Sequence, residues 1–315
     1  MLETIQSPKL KSTIVFGIMR GGSSIAFDIV RRLLGCAGTL YDNFIGRSYD
    51  AGISLDQLPR DLHIFQNQGM LYGPFRECPD WLLRTLTTSS LTKILFIRDP
   101  RDCLVSHHFI SKETHSTFQP SSLASDDFNI QRESHYPNID VHVLIWARYF
   151  RLRFERYCML CRIDPKFHVY RYEDMAANFS DWIDDLVKVL QLPATAPVME
   201  EVDLIKATVT LENLIEDPLA HHRLGRPGDF VNKLRGETLE ELAHYFSDTL
   251  KFYGYDNFAA RTRFQRTVAG ATTGNAETEL TRRQLDIFSR ENGLRIAEIA
   301  SLRESLADLR VNAQK

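Results

Sequence analysis

The stretch Ser12-Thr-Ile-Val-Phe-Gly-Ile-Met-Arg-Gly-Gly-Ser-Ser24-Ile-Ala-Phe-Asp-Ile-Val-Arg-Arg-Leu-Leu34 decides the fold class of this chain. Ser12 to Phe16 is a short β-branched run, the composition of a strand buried on both faces. Gly17 to Ser24 is a glycine-rich turn. From Ile25 onward, Ile25, Ile29, Val30, Leu33 and Leu34 recur at helical spacing, which predicts an amphipathic helix. A second unit repeats this order: Lys93-Ile-Leu-Phe-Ile97 reads as strand, Arg98-Asp-Pro-Arg-Asp102 as turn and Cys103 to Phe109 as helix. Phe167 to Tyr170 is a third strand candidate, followed by Glu173-Asp174 and the helix-like Trp182 to Leu192. Strands alternating with helices predict an α/β fold with a parallel central sheet flanked by helices, its crossovers right-handed.

Further out along the chain, 315 residues suffice for one large or two modest domains. Hydrophobic residues make up 43% and charged residues 25%, an ordinary globular balance. The 38 Lys and Arg against 41 Asp and Glu show no basic excess, so no nucleic-acid partner is expected. Ile14 to Met19 and Ile94 to Ile97 are too short to span a bilayer, and the N-terminus carries no signal-like apolar region, so a cytoplasmic protein is expected. Five cysteines make no disulfide framework. Cys158 and Cys161 sit in a run with Trp146, Tyr149, Phe150 and Phe154 that reads as helix, a structural position rather than half of a zinc site.

Residues 111–140 are polar and serine-rich, with Pro120 and Pro137, a disordered stretch or a functional lid. Thr267 to Asn275 reads as linker. Beyond it, Leu285, Phe288, Asn292, Arg295, Ile299, Leu302, Leu306, Leu309 and Ala313 alternate in spacings of three and four, a heptad seam. The expected organisation is an α/β domain at 1–262, a linker at 263–278 and a coiled-coil helix at 279–315 that makes the protein a homo-oligomer; a helix folded back onto the domain is the alternative.

The two turns carry the chemistry. A glycine-rich loop between strand and helix gathers backbone N–H groups and a helix N-terminus onto one point, which suits phosphate or sulfate. Gly17-x-x-x-x-Gly22-Ser23-Ser24 has the spacing of a nucleoside-triphosphate loop, but Ser23 stands where its lysine belongs and the cation comes earlier, at Arg20. That disfavours a magnesium-dependent kinase or ATPase. Arg98, at the end of a strand, and Ser106, at or near the start of the next helix, suit a second, separate phosphate.

Four segments carry a family resemblance. Phe16-Gly-Ile-Met-Arg-Gly-Gly-Ser-Ser24 resembles the 5′-phosphosulfate loop of sulfotransferases, written P-[KR]-S-G-T-T. Arg98-Asp-Pro-Arg-Asp-Cys-Leu-Val-Ser106 is similar to their 3′-phosphate motif, R-[ND]-P-[KR]-D-x-x-x-S. Tyr170-Arg-Tyr-Glu-Asp-Met175 resembles the Y-E-D-[LM] segment near adenine, and Arg223-Leu-Gly-Arg-Pro-Gly-Asp-Phe-Val-Asn232 resembles the late R-K-G-x-x-G-D-W-x-N segment. The resemblance implies the P-loop-like sulfotransferase fold, with 3′-phosphoadenosine 5′-phosphosulfate (PAPS) as co-substrate, no metal, and transfer of a sulfuryl group to an acceptor hydroxyl or amine. It assigns Arg20 to the sulfuryl group and leaving phosphate. Gly21, Gly22, Ser23 and Ser24 would form the cradle, Arg98 and Ser106 the 3′-phosphate pair, and Tyr172 the adenine contact. Arg223, Leu224 and Gly225 would supplement the 3′-phosphate site, with Leu224 standing where the family has lysine. Arginine in the loop, and Ile25 where the small-molecule branch has an aromatic, imply a larger acceptor such as a carbohydrate.

A hydroxyl acceptor must lose its proton as it attacks, so a base is expected within reach. The histidine that the small-molecule branch places ahead of its second phosphate motif is missing from Gly73-Pro-Phe-Arg-Glu77. Asp42, about twenty residues after Arg20, is the leading candidate, with His63 and Glu77 behind it. Asp99 and Pro100 also read as a helix start, and Glu173 and Asp174 as helix caps or arginine partners. Two other functions fit parts of the sequence: a nucleotide phosphotransferase, and a non-catalytic nucleotide-binding scaffold assembled through the tail.

Overall fold

Ile14, Val15 and Phe16 are fully buried in β1 (Thr13–Gly17), the middle strand of a five-stranded parallel sheet. In this computed structural model the described residues are 10–50, 65–78, 81–82, 86, 90–111, 138–209 and 226–256. The other strands are β2 (Leu40–Asp42), β3 (Met70–Phe75), β4 (Thr92–Ile97) and β5 (Phe167–Arg171), in the order β2-β3-β1-β4-β5. β1 and β4 are buried almost throughout, which is why both read as continuous apolar runs.

Strand alternation divides the core in two. Val15, Ile94 and Phe96 face α1 (Ser23–Cys36), whose Ala26, Phe27, Ile29, Val30, Leu33 and Leu34 are buried at the spacing seen in the sequence. Tyr172 and Met175 of α5 (Tyr172–Ala177), Trp182, Ile183 and Leu186 of α6 (Phe179–Val189) and Val202 and Ile205 of α7 (Ala196–Thr208) complete that layer. On the other face, Phe16 meets Phe75, Phe167 and Tyr157, with ring centroids 5.3–5.9 Å apart. Tyr157 belongs to α4 (Ile139–Ile163), which packs against α3 (Pro100–Ser111), α9 (Gly236–Tyr245) and α10 (Ser247–Tyr253). α8 (Phe230–Lys233) is a single turn lying against α3. Asn138 caps α4, its side chain accepting from the Asp140 N–H at 2.9 Å. Cys158 and Cys161 are buried on α4, and all five thiols are free.

Two strands escaped the sequence reading, for a physical reason. β3 contains Gly73-Pro74, a pair that normally marks a loop. Here β2 pairs only with Met70 to Tyr72, so Pro74 lies beyond the end of that ladder. Against β1 the register passes from Ile14↔Tyr72 to Phe16↔Phe75, two residues facing three. Gly73 occupies this bulge at φ +126, where an added Cβ would stand 2.6 Å from the Val15 carbonyl oxygen. β2 has only three residues, two of them exposed, and carries no apolar alternation to read.

The described residues all fall in the unit Met1–Gln265. Most of the 111–140 segment, the 263–278 linker and the coiled coil at 279–315 lie outside them. No helix among the described residues is long and apolar enough to cross a membrane.

Candidate active site

Register places Gly17 beside Phe96, and Ile97 beside Arg171, so the turns leaving β1, β4 and β5 emerge side by side. The first turn is tight. The Ile18 N–H donates to the Phe96 carbonyl at 3.2 Å, and the Gly21 N–H to the Ile18 carbonyl at 2.9 Å. Arg20 (φ 66) and Gly22 (φ 74) both adopt left-handed backbone. For arginine this conformation costs on the order of 1–2 kcal/mol, strain of the kind that gathers where backbone geometry serves a ligand. Gly22 caps α1, and an added Cβ there would stand 2.4 Å from the Tyr172 ring. No side chain caps α1 and no acidic residue occupies its first turn, so its leading N–H groups are left to meet an anion.

Two half-buried guanidiniums converge on this point. The Arg20 Nε donates to the Ser106 Oγ at 3.3 Å. The Arg76 Nη2 donates to the Ser24 Oγ at 3.1 Å from the turn after β3. Among the described residues no carboxylate pairs with either. Burial, then the neighbouring charge of Arg76, pulls the pKa of Arg20 down to about 10. Burial likewise lowers that of Arg76. Two neighbouring, half-buried cations with no carboxylate on them among the described residues cost free energy that a bound dianion would remove.

Arg98 forms the second centre. It is 7% exposed, lies over the Tyr172 ring at 4.7 Å, contacts Asp102 at 3.4 Å and donates from Nη2 to the Arg226 carbonyl at 3.2 Å. Its Nε is buried without a partner among the described residues, a donor aimed at something the chain itself does not supply. Burial depresses the Arg98 pKa, but Asp102 and the groups beyond it outweigh that effect and raise it. Asp102 also accepts from the Gly228 N–H at 2.7 Å and the Phe230 N–H at 3.1 Å, which fastens the late segment beside Arg98.

Behind the site, Asp99 starts α3, accepting from the Arg101 N–H at 2.9 Å and pairing with the Arg101 guanidinium at 2.6 Å. The helix begins at Pro100, so Ser106 lies in its second turn rather than at its start. Glu173 accepts from the Asp99 N–H at 2.9 Å and the Tyr255 hydroxyl at 2.7 Å. Burial raises its pKa to about 7. Asp174 pairs with Arg171 at 2.7 Å. Asp174 thus has the arginine partner its sequence suggested, whereas Glu173, among the described residues, neither caps the following helix nor pairs with an arginine but holds the Asp99 amide and the Tyr255 hydroxyl.

The structure thus brings Arg20, Gly21, Gly22, Ser23, Ser24, Arg98, Ser106 and Tyr172 together. Asp42 ends β2, paired with Arg47 at 2.6 Å, and has no contact with Arg20. Glu77 pairs with Arg153. His63, Arg223, Leu224 and Gly225 lie outside the described residues. Arg76 belongs to no motif in the sequence, and its position just past a strand end marks it as a site cation only through β3. His107 and His108 are both buried, and the His107 Nδ1 lies 3.0 Å from the His142 Nε2 in the α3–α4 interface.

The sulfotransferase domain family matches residues 77–249, more than half of the chain. This chain belongs to the sulfotransferase family. The match takes in Arg98, Ser106 and Tyr172 of this sulfotransferase; the Gly17–Ser24 loop precedes it. Among solved structures, it is similar to mouse sulfotransferase SULT7A1 complexed with PAP (13% identity, 79% of this chain and 87% of that one, TM-score 0.45). It is similar also to a retinol dehydratase in complex with retinol and PAP (13% identity, 78% and 82%, TM-score 0.44). A third is sulfotransferase STF9 from Mycobacterium avium (15% identity, 59% and 41%, TM-score 0.35). No curated protein matches the sequence.

Proposed function

We propose that this sulfotransferase moves a sulfuryl group from PAPS to a hydroxyl of a large acceptor, a carbohydrate being the first class to screen, by in-line transfer without metal. The observation that carries the reading is the pair of half-buried guanidiniums, Arg20 and Arg76, at the N-terminus of α1, with which no carboxylate among the described residues pairs. A 5′-phosphosulfate suits them, and a 3′-phosphate suits Arg98, with its unpartnered Nε, together with Ser106. Tyr172, already stacked on Arg98, offers the adenine a flat neighbour.

In the reaction the acceptor oxygen attacks sulfur, the bond from sulfur to the 5′-phosphate oxygen breaks, and that oxygen keeps the electron pair. Arg20 and Arg76 stabilise the charge that builds on the phosphate and sulfuryl oxygens. We assign the departing proton to Glu77. β3 adjoins β1, whereas Asp42 ends β2, two strands and about 10 Å away. Arg153 pairs with Glu77 and holds it in place. Arg20 in place of lysine, and Ile25 in place of an aromatic, support a larger acceptor.

The test is release of 3′-phosphoadenosine 5′-phosphate from PAPS with a panel of oligosaccharides and phenols in the presence of EDTA. Wild-type protein turns over, and Arg20→Ala and Arg76→Ala each lose about 10²–10³-fold. Full activity in either variant contradicts the assignment. Comparing Glu77→Gln with Asp42→Asn under the same conditions identifies the base: the first falls and the second does not.

A further inference from the structure

A cavity of about 270 Å³ opens at the other end of the sheet, lined among others by Lys11, Thr92, Lys166, His168 and Gln191. Register explains how these residues meet. Thr13 pairs with Thr92, and Lys93 with Phe167, so Lys11, Thr92 and Lys166 stand at the amino ends of three adjacent strands, β1, β4 and β5. Arg98 lies six residues along from Thr92 through β4, about 20 Å of extended chain, so this cavity is not part of the transfer site.

Its charge is unusual for this chain. Acidic residues outnumber basic ones, 41 to 38, yet among the described residues no carboxylate lines the cavity. Asp164, close by in sequence, is already engaged: it pairs with buried Lys93 at 2.5 Å and accepts from the Lys166 N–H at 2.9 Å. Among the described residues neither the Lys11 nor the Lys166 ammonium has an ion-pair partner. Gln191, just past the end of α6, has left-handed backbone at φ 54, a conformation that glycine or asparagine adopts at lower cost, and is one of the residues lining the cavity. Burial lowers the His168 pKa against the pull of Asp185, leaving a neutral hydrogen-bonding ring near pH 7.

We propose that this cavity is a second oxyanion site, which takes a phosphate- or sulfate-bearing molecule through Lys11 and Lys166, with Thr92, His168 and Gln191 supplying hydrogen bonds. Two ammonium groups suit a dianion, and the hydroxyl and amide groups match its remaining oxygens. The volume leaves room for more than the bare ion, so the group can be free or carried on a small organic molecule.

Equilibrium dialysis of radiolabelled sulfate against the full chain, at fixed ionic strength, tests it. Wild-type protein binds three equivalents, one at each of the two transfer-site centres and one in the cavity. Lys11→Ala/Lys166→Ala loses one of them, its affinity falling at least tenfold, and Arg20→Ala/Arg98→Ala loses the other two. Both lysines are exposed, so their removal leaves the core intact, and unchanged thermal unfolding verifies this. Undiminished stoichiometry in the lysine variant overturns the second site. Undiminished stoichiometry in the arginine variant overturns the transfer-site assignment instead. In the arginine variant, stronger displacement by inorganic phosphate marks a free ion, and stronger displacement by glucose 6-sulfate marks an esterified group. Displacement by neither overturns the proposal.

Discussion

Gly22 has no room for a side chain. Its φ of 74 and the Tyr172 ring, 2.4 Å from an added Cβ, mean that Gly22→Ala must move either the loop or the tyrosine. Because Tyr172 also stacks on Arg98, the displacement reaches both phosphate centres. Calorimetric titration with 3′-phosphoadenosine 5′-phosphate is expected to show at least a 100-fold loss of affinity; wild-type affinity would mean that the loop does not hold the nucleotide. Glu173 gives a pH signature. Its pKa rises from the ordinary 4.5 to about 7 in the fold, so the native state holds a proton that the unfolded chain releases. The resulting stabilisation is complete below pH 4.5 and is lost as pH rises through 7, a change on the order of 3 kcal/mol. Glu173→Gln removes that dependence. In denaturant unfolding the variant's stability relative to wild type is expected to improve from pH 5 to about pH 7 and to level off above it, and a pH-independent difference would contradict the burial of this carboxyl.

At the scale of elements, the active site depends on one clamp. Asp102 on α3 ties Arg98 to the Gly228 and Phe230 amides, joining the β4–α3 turn to the late segment. Asp102→Ala leaves the Arg98 charge buried without its carboxylate and is expected to cost about 3–5 kcal/mol in chemical denaturation. Loss of less than 1 kcal/mol would show that the clamp is incidental. The central strands β1, β4 and β5 and the helix α1 were legible because burial on two faces, or on one helical face, leaves a periodic trace in the sequence. β3 was not, since its bulge is built from Gly73-Pro74, residues that locally signal a loop and whose tolerance depends on β2 ending early. The loop cations Arg20 and Arg98 were legible from motifs. Arg76 was not, because its role follows from sheet order, which brings the end of β3 beside β1. No local pattern encodes that neighbour relation.

For the whole molecule, the balance of 38 basic and 41 acidic residues conceals two places, one at each end of the sheet, where cations gather that no carboxylate among the described residues pairs: Arg20 with Arg76, and Lys11 with Lys166. The heptad spacing from Leu285 to Ala313 makes assembly an expectation of the sequence alone: a chain ending at Arg266 is expected to scatter light as a smaller oligomer than the full protein, and unchanged stoichiometry would contradict the coiled coil. The central claim, a site for an adenosine carrying phosphates at both 3′ and 5′ positions, is tested most directly by thermal unfolding with 3′-phosphoadenosine 5′-phosphate against 5′-AMP, with and without magnesium. At a hundred times its dissociation constant the bisphosphate adds about 2.7 kcal/mol to stability. The account predicts a clear rise in Tm with the bisphosphate alone, needing no magnesium and abolished by Arg98→Ala. Equal shifts with 5′-AMP, or a shift that survives Arg98→Ala, would contradict it.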